Sequence, residues 1–155
     1  MGDRVYTCPI ASVSIGTAVQ DIFAIIPGAT KAIILHHIHL DANVSAEAAL
    51  RLRLKRMTAT ASAGSNGTAG APKPVDPADA AATAVVRLND TTQATTSGST
   101  EYLGEFYWDV ALPFDHLPAP EDRERCVING AIILDLPATI TATTIAGYVK
   151  YSEIP

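Results

Sequence analysis

The sequence predicts an all-β domain: an antiparallel β-sandwich, jelly-roll-like, with long Ala/Gly/Ser/Thr loops and at most one short helix. Three observations lead there. Leu50, Leu52 and Leu54 alternate strictly with Arg51, Arg53 and Lys55, the period-two signature of a half-buried strand. Seven or eight short apolar runs are separated by turn residues. No crossover helices of the kind a βαβ fold needs are visible. With 155 residues and 48% hydrophobic content, residues 1–155 are read as a single domain with a full core.

Taken in order, Val5 to Ile15 ends in an apolar/polar alternation, and Pro9 marks it as an edge or bent strand. Val19 to Ile26 is apolar and stops at Pro27-Gly28, a turn pair. Lys31 to Asp41 is β-branched and Leu-rich. Unbroken alternation there would put Ile34, His36, Ile38 and Leu40 on one face, and Ile33, Leu35, His37 and His39 on the other. Ala48 to Met57 holds the leucine alternation, with three leucines inward and the basic side chains outward. As a helix, Leu52 would point away from Leu50 and Leu54.

Residues 58–75 and 89–100 are expected to be long loops or arms. The first is built of small residues, glycine and two prolines, and the second contains seven Ser or Thr; both exceed ordinary connections. Between them, Asp76-Pro77-Ala78-Asp79 is the best helix start in the chain, with a capping Asp, Pro at the first helical position and an acid near the positive end. A strand-like A-V-V-R-L follows. Glu101 to Leu112 reads as a central strand whose aromatics belong to the core, with Gly104 at a bulge or close approach. Asn129-Gly130 is a turn signal, Ala131 to Leu136 is apolar, and Ile145 to Tyr151 alternates.

Composition excludes several functions. The formal net charge is −5, from 11 Lys and Arg against 16 Asp and Glu, which argues against a general nucleic-acid binder. The charged fraction is 17%, low for a monomer's surface, and fits either an assembly surface or exposed loops of low complexity. The N-terminus lacks the basic and apolar regions of a secretory signal, so synthesis in the cytoplasm is expected, and no apolar stretch is long enough to span a bilayer. Cys8 and Cys126 have no metal-ligand spacing; they read as small buried side chains, although a single disulfide is open to them.

The residues that could carry chemistry are few. There is no G-x-S-x-G elbow, and Gly64 to Gly67 lacks the Lys and Ser/Thr of a phosphate loop. Asp109 with Asp115, or Glu101 with Glu105, are acid pairs only on paper. No enzymatic activity and no cofactor are expected. His36, His37 and His39 form the one cluster. In a strand, His37 and His39 share a face about 7 Å apart at Cα, and a metal would need a third ligand such as His116 or Asp41. Packing at a sheet face or subunit contact is the simpler role. The interface candidates are therefore His37 and His39 together with the basic residues Arg51, Arg53, Lys55 and Arg56.

Across most of its length the chain resembles small structural virion proteins of tailed bacteriophages. The features are D-R-V-Y-T at 3–7, A-V-Q-D-I-F-A-I at 18–25 and A-L-R-L-R-L-K-R at 49–56. P-K-P-V-D-P-A-D-A-A-A at 72–82, E-Y-L-G-E-F-Y-W-D-V at 101–110, P-A-P-E-D-R-E-R at 118–125 and T-I-A-G-Y-V-K-Y-S-E-I at 144–154 complete the set. The resemblance implies a capsid decoration or cement protein on the virion surface. It would be a homo-oligomer, a trimer by preference, whose partner is the major capsid protein or another virion protein. Two other functions fit the same residues. One is a carbohydrate- or receptor-binding module of a tail or surface fibre, which needs Tyr102, Tyr107 and Trp108 exposed. The other is a small cupin-like metal-binding protein using His37 and His39.

Overall fold

The computed structural model describes residues 3–43 and 49–155. Its strands are β1 (Arg4–Ile15), β2 (Gln20–Ile26), β3 (Ala32–Asn43), β4 (Ala49–Met57), β5 (Ala61–Ser62), β6 (Thr68–Ala69) and β7 (Lys73–Pro74). They continue with β8 (Val85–Asp90), β9 (Thr95–Thr96), β10 (Thr100–Asp109), β11 (Phe114–His116), β12 (Arg125–Cys126), β13 (Ala131–Leu136) and β14 (Thr143–Ile154). Ala48, placed by the sequence in the leucine strand, lies outside the described residues. All pairings are antiparallel. The first sheet runs β11-β3-β14-β1-β7, with β12 also on β3; the second runs β10-β4-β13-β2-β8-β6; β5 and β9 form a small ribbon. The two large sheets pack face to face as a sandwich. Among the described residues no barrel closes, and no helix is long and apolar enough to cross a membrane.

Alternation builds the core. Leu50, Leu52 and Leu54 are fully buried between the sheets with Ile38, Leu40, Ile132, Leu134, Val149 and Tyr151. Each such side chain contributes roughly 1.5–3 kcal/mol by leaving water. The second sheet is covered on its outer face as well. Ala24, Met57, Ala94, Ala131 and Ile133 form a smaller cluster there, and this explains why the whole run Gln20 to Ile25 is buried.

The long segments make that cover. The chain from 58 onward lays β5 beside β9, adds β6 to the edge of β8, then adds β7 to the edge of β1. It therefore straps one side of the sandwich. Small residues are required for this approach: a Cβ at Gly70 would come within 2.8 Å of both Cys8 Sγ and Val86 Cγ1.

Several expectations are corrected. Asp76 starts a turn, not a helix. Its side chain accepts from Ala78 N at 2.9 Å and its carbonyl from Asp79 N at 3.0 Å. Beyond it the chain is drawn out: Ala84 N and Thr83 N donate to Glu153 at 2.7 and 2.6 Å, and Ala82 and Ala84 pack against the core. Among the described residues the one helical turn is a 3-10 turn at Pro120–Asp122. β10 is an edge strand, not a central one. Its ladder with β4 does shift at Leu103, between Tyr102 and Gly104, as the glycine suggested. Trp108 is buried, but Tyr102 and Tyr107 are 62% and 77% exposed, so two of its aromatics are not core. Tyr6 and Tyr151, stacked at 5.6 Å, take that place instead. Cys8 and Cys126 are buried and unbonded to each other.

The faces of β3 also differ from unbroken alternation. The pairing with β14 skips from His37↔Lys150 to Leu35↔Tyr151, leaving His36 as an extra, bulged residue. A bulge reverses the parity of a strand. Ile33 and Leu35 therefore join Ile38 and Leu40 in the core, while His37 and His39 are left outside.

Candidate metal centre

The solvent side of the first sheet carries the cluster. Register places Asp115 of β11 opposite His39 on one flank of β3, and Tyr148 of β14 opposite His39 on the other. Side chains opposite one another in adjacent strands are close enough to touch. Asp115 Oδ1 lies 2.8 Å from His37 Nε2 and 2.8 Å from His39 Nδ1. One ligand atom from each of His37, His39 and Asp115 falls within 4.8 Å of the others.

The outer ring nitrogens are held too. His39 Nε2 is 3.0 Å from Asp41 Oδ2, and His37 Nδ1 is 3.3 Å from the Tyr148 hydroxyl. The Tyr148 ring stacks on His39 at 5.3 Å and meets His37 edge-on at 5.2 Å. Asp41 can accept a hydrogen bond from Nε2–H of His39, and Tyr148 can accept one from Nδ1–H of His37. That choice of tautomer leaves His39 Nδ1 and His37 Nε2 as lone pairs aimed at one carboxylate oxygen. A carboxylate accepts only, so that choice of tautomer needs a cation among the three atoms, whereas the other tautomer of His37 donates Nε2–H to Asp115 and accepts the Tyr148 hydroxyl at Nδ1. A proton meets that need: the hydrogen bond to Asp115 raises the affinity of His39 for its proton, against a smaller opposing effect of burial. The same contacts hold Asp115 below the usual carboxylate range.

A divalent ion meets it as well. Two imidazole nitrogens and a carboxylate oxygen are a zinc-type donor set. Tetrahedral bonds of about 2.0–2.1 Å separate ligand atoms by roughly 3.3 Å, a little wider than the observed 2.8 Å. Asp115 is half exposed on a three-residue strand and can supply that opening. Three protein ligands would leave a four-coordinate ion one position for a non-protein ligand.

Of the two third ligands the sequence suggested, neither is in the first ring. His116 Nε2 is 2.8 Å from Glu124 Oε1 and its ring packs on Phe106. Asp41 supports His39 from behind. His36 turns away to Ser152 Oγ at 2.9 Å. Asp115 and Tyr148 were missed because they come from strands distant in sequence. The signal for Asp115 was its position between Phe114 and His116, where an inward Phe forces the Asp outward.

The basic candidates are brought to the second sheet and are all partnered. Arg51 pairs with Glu105, and Arg56 with Glu101. Arg53 binds Asp135 through two nitrogens at 3.1 and 2.8 Å. Lys55 is not outward-facing to solvent as expected: it is buried, with its ammonium 3.0 Å from Asp135 and 3.5 Å from Asp21. The 89–100 segment lies over it, and Asp21 accepts Ala94 N at 2.7 Å. The acid pairs also dissolve: Glu101 and Glu105 serve these arginines, and Asp109 accepts Ala111 N at 3.0 Å.

Comparison with known protein families, with curated proteins and with solved structures finds no match.

Proposed function

We propose that this chain is a metal-binding β-sandwich in which His37, His39 and Asp115 take a first-row divalent ion of the zinc type. One observation carries the reading: three ligand atoms converge while Asp41 and Tyr148 hold the far nitrogens of both imidazoles, the outer-shell arrangement that orients metal ligands. The ligands stand on the outside of a sheet, so this is not a site enclosed within a barrel. The test is metal analysis of protein purified without a polyhistidine tag. The expected result is one ion per chain in the wild type, and loss of it in His37→Ala and Asp115→Ala.

The strand orders β11-β3-β14-β1 and β10-β4-β13-β2 support describing the sandwich as a jelly roll, with β8 as an added strand. That architecture occurs in viral capsid proteins, lectins and cupins, so it does not select a function.

A second reading, a non-enzymatic virion decoration protein acting as an oligomer on the capsid surface, is favoured by a different observation. The β10/β11 side of the sandwich exposes Tyr102, Tyr107, Leu112 and Leu117, whereas the exposed apolar residues beside β7 and in β8 are the smaller Val75 and Val85. Large apolar groups exposed along β10 and beside β11 favour an interaction surface there. The sequence resemblance points the same way. Light scattering tests it: an oligomer that binds assembled capsids is expected, and a monomer that ignores them contradicts it. The glycan-binding reading loses a member of its platform, because Trp108 is buried and its Nε1 donates to the Leu112 carbonyl at 2.7 Å.

A further inference from the structure

The rung of the first sheet beside the candidate metal centre carries free positive charge. Register aligns His37 with Lys150, Lys150 with Thr7, and Thr7 with Lys73 across four successive strands. Adjacent strands are about 4.8 Å apart, so Lys150 is one strand from His37 and Lys73 roughly 10 Å from Lys150. Val149 and Tyr151 point into the core, so Lys150, between them, points to the solvent face. Its ammonium sits 5.3 Å from the centroid of the Tyr148 ring, and the hydroxyl of that same ring contacts His37.

Most cations of this acidic chain are neutralised by a carboxylate, as the arginines of β4 show. Among the described residues neither Lys150 nor Lys73 forms an ion pair. Two lysines thus stand without an ion-pair partner on the face that carries His37, His39, Asp115 and Asp41, where the metal would leave a coordination position open to solvent.

We infer that this face binds a small oxyanion, a carboxylate or a phosphate group, through the open position of the metal at His37, His39 and Asp115 together with the ammonium of Lys150, with Lys73 adding charge farther along the rung. The inference rests on the metal reading. The metal supplies an inner-sphere bond to one anion oxygen; Lys150 supplies a charge-assisted hydrogen bond to another. Lys150 is a positioning group for the anion and not a ligand of the metal.

Cobalt(II) makes both steps visible, because its visible absorption reports each change in its ligands. The tag-free chain is titrated first with cobalt(II), then, once loaded, with inorganic phosphate and separately with acetate. The expected result is a band set on cobalt binding that changes with at least one of the two anions; which anion acts names the oxyanion class. Lys150→Gln should weaken that anion response about tenfold while cobalt affinity stays within about twofold of wild type, and Lys150→Arg should restore much of it. A loaded protein whose spectrum neither anion changes, or a Lys150→Gln protein that responds like wild type, overturns the inference and leaves the metal reading standing. A wild type that takes up no cobalt overturns both.

Discussion

Arg53 and Asp135 are joined by two hydrogen bonds across β4 and β13, Nε to Oδ1 at 3.1 Å and Nη2 to Oδ2 at 2.8 Å. Asp135 is fully buried and also receives Lys55 at 3.0 Å and Gln93 at 3.2 Å. The carboxylate therefore ties the 89–100 segment to the outer face of the second sheet. Removing it strands two cations, one of them buried. Asp135→Ala is expected to cost about 3–5 kcal/mol, read by urea unfolding. Arg53→Ala, whose side chain is partly exposed, is expected to cost less.

The same group sets an acid limit. Burial opposes ionisation of Asp135, but Arg53 and Lys55 outweigh it and hold its pKa below the ordinary value. Burial likewise opposes ionisation of Glu153, and the amide of Ala84 with Lys31 and Thr83 outweighs it. A depressed folded pKa stabilises the fold above the unfolded value and is lost as pH falls through the folded one. Asp21 acts in the opposite sense, since burial raises its pKa and early protonation relieves a cost. Calorimetric scans from pH 7 downward should show little loss until below about pH 4, then a steep fall in Tm that Asp135→Ala makes shallower.

Asp41 and Tyr148 touch the far nitrogens of His39 and His37. Asp41→Asn and Tyr148→Phe keep all three proposed ligands and should weaken zinc binding by about 10- to 100-fold each, measured by competition with a chelating dye. Unchanged affinity in both would detach these side chains from the site.

Gly147 lies in β14 against the His39–Leu40 backbone of β3. A Cβ there would overlap the carbonyl oxygen of His39, a backbone atom that cannot swing aside. Gly147→Ala must part the strands beside His39. The expected loss is about 2–4 kcal/mol by denaturant unfolding, with weaker metal binding in the protein that remains folded.

The parts of this fold written in local alternation were readable in the sequence. Leu50, Leu52 and Leu54 needed only a period of two. What was hidden depends on distant partners. Lys55 reads as an outward cation until Asp21, Asp135 and the 89–100 segment close around it. His36 gives no local sign of being a bulge, yet its insertion moves His37 and His39 from the face of Ile33 and Leu35 to the opposite one. Asp115 sits on a strand of three residues, too short to show a period. The histidine pair was visible; Asp115, the proposed third ligand, and the side chains that touch the far ring nitrogens came from pairing register.

Long-range proton–nitrogen NMR of the four histidine rings during zinc titration tests the central claim most directly, because it reports which nitrogen of which ring is bound. The proposed site predicts coordination through Nε2 of His37 and Nδ1 of His39, complete at one zinc per chain, with His36 and His116 unmoved. Rings that do not respond to zinc, or a response centred on His36 or His116, would contradict it.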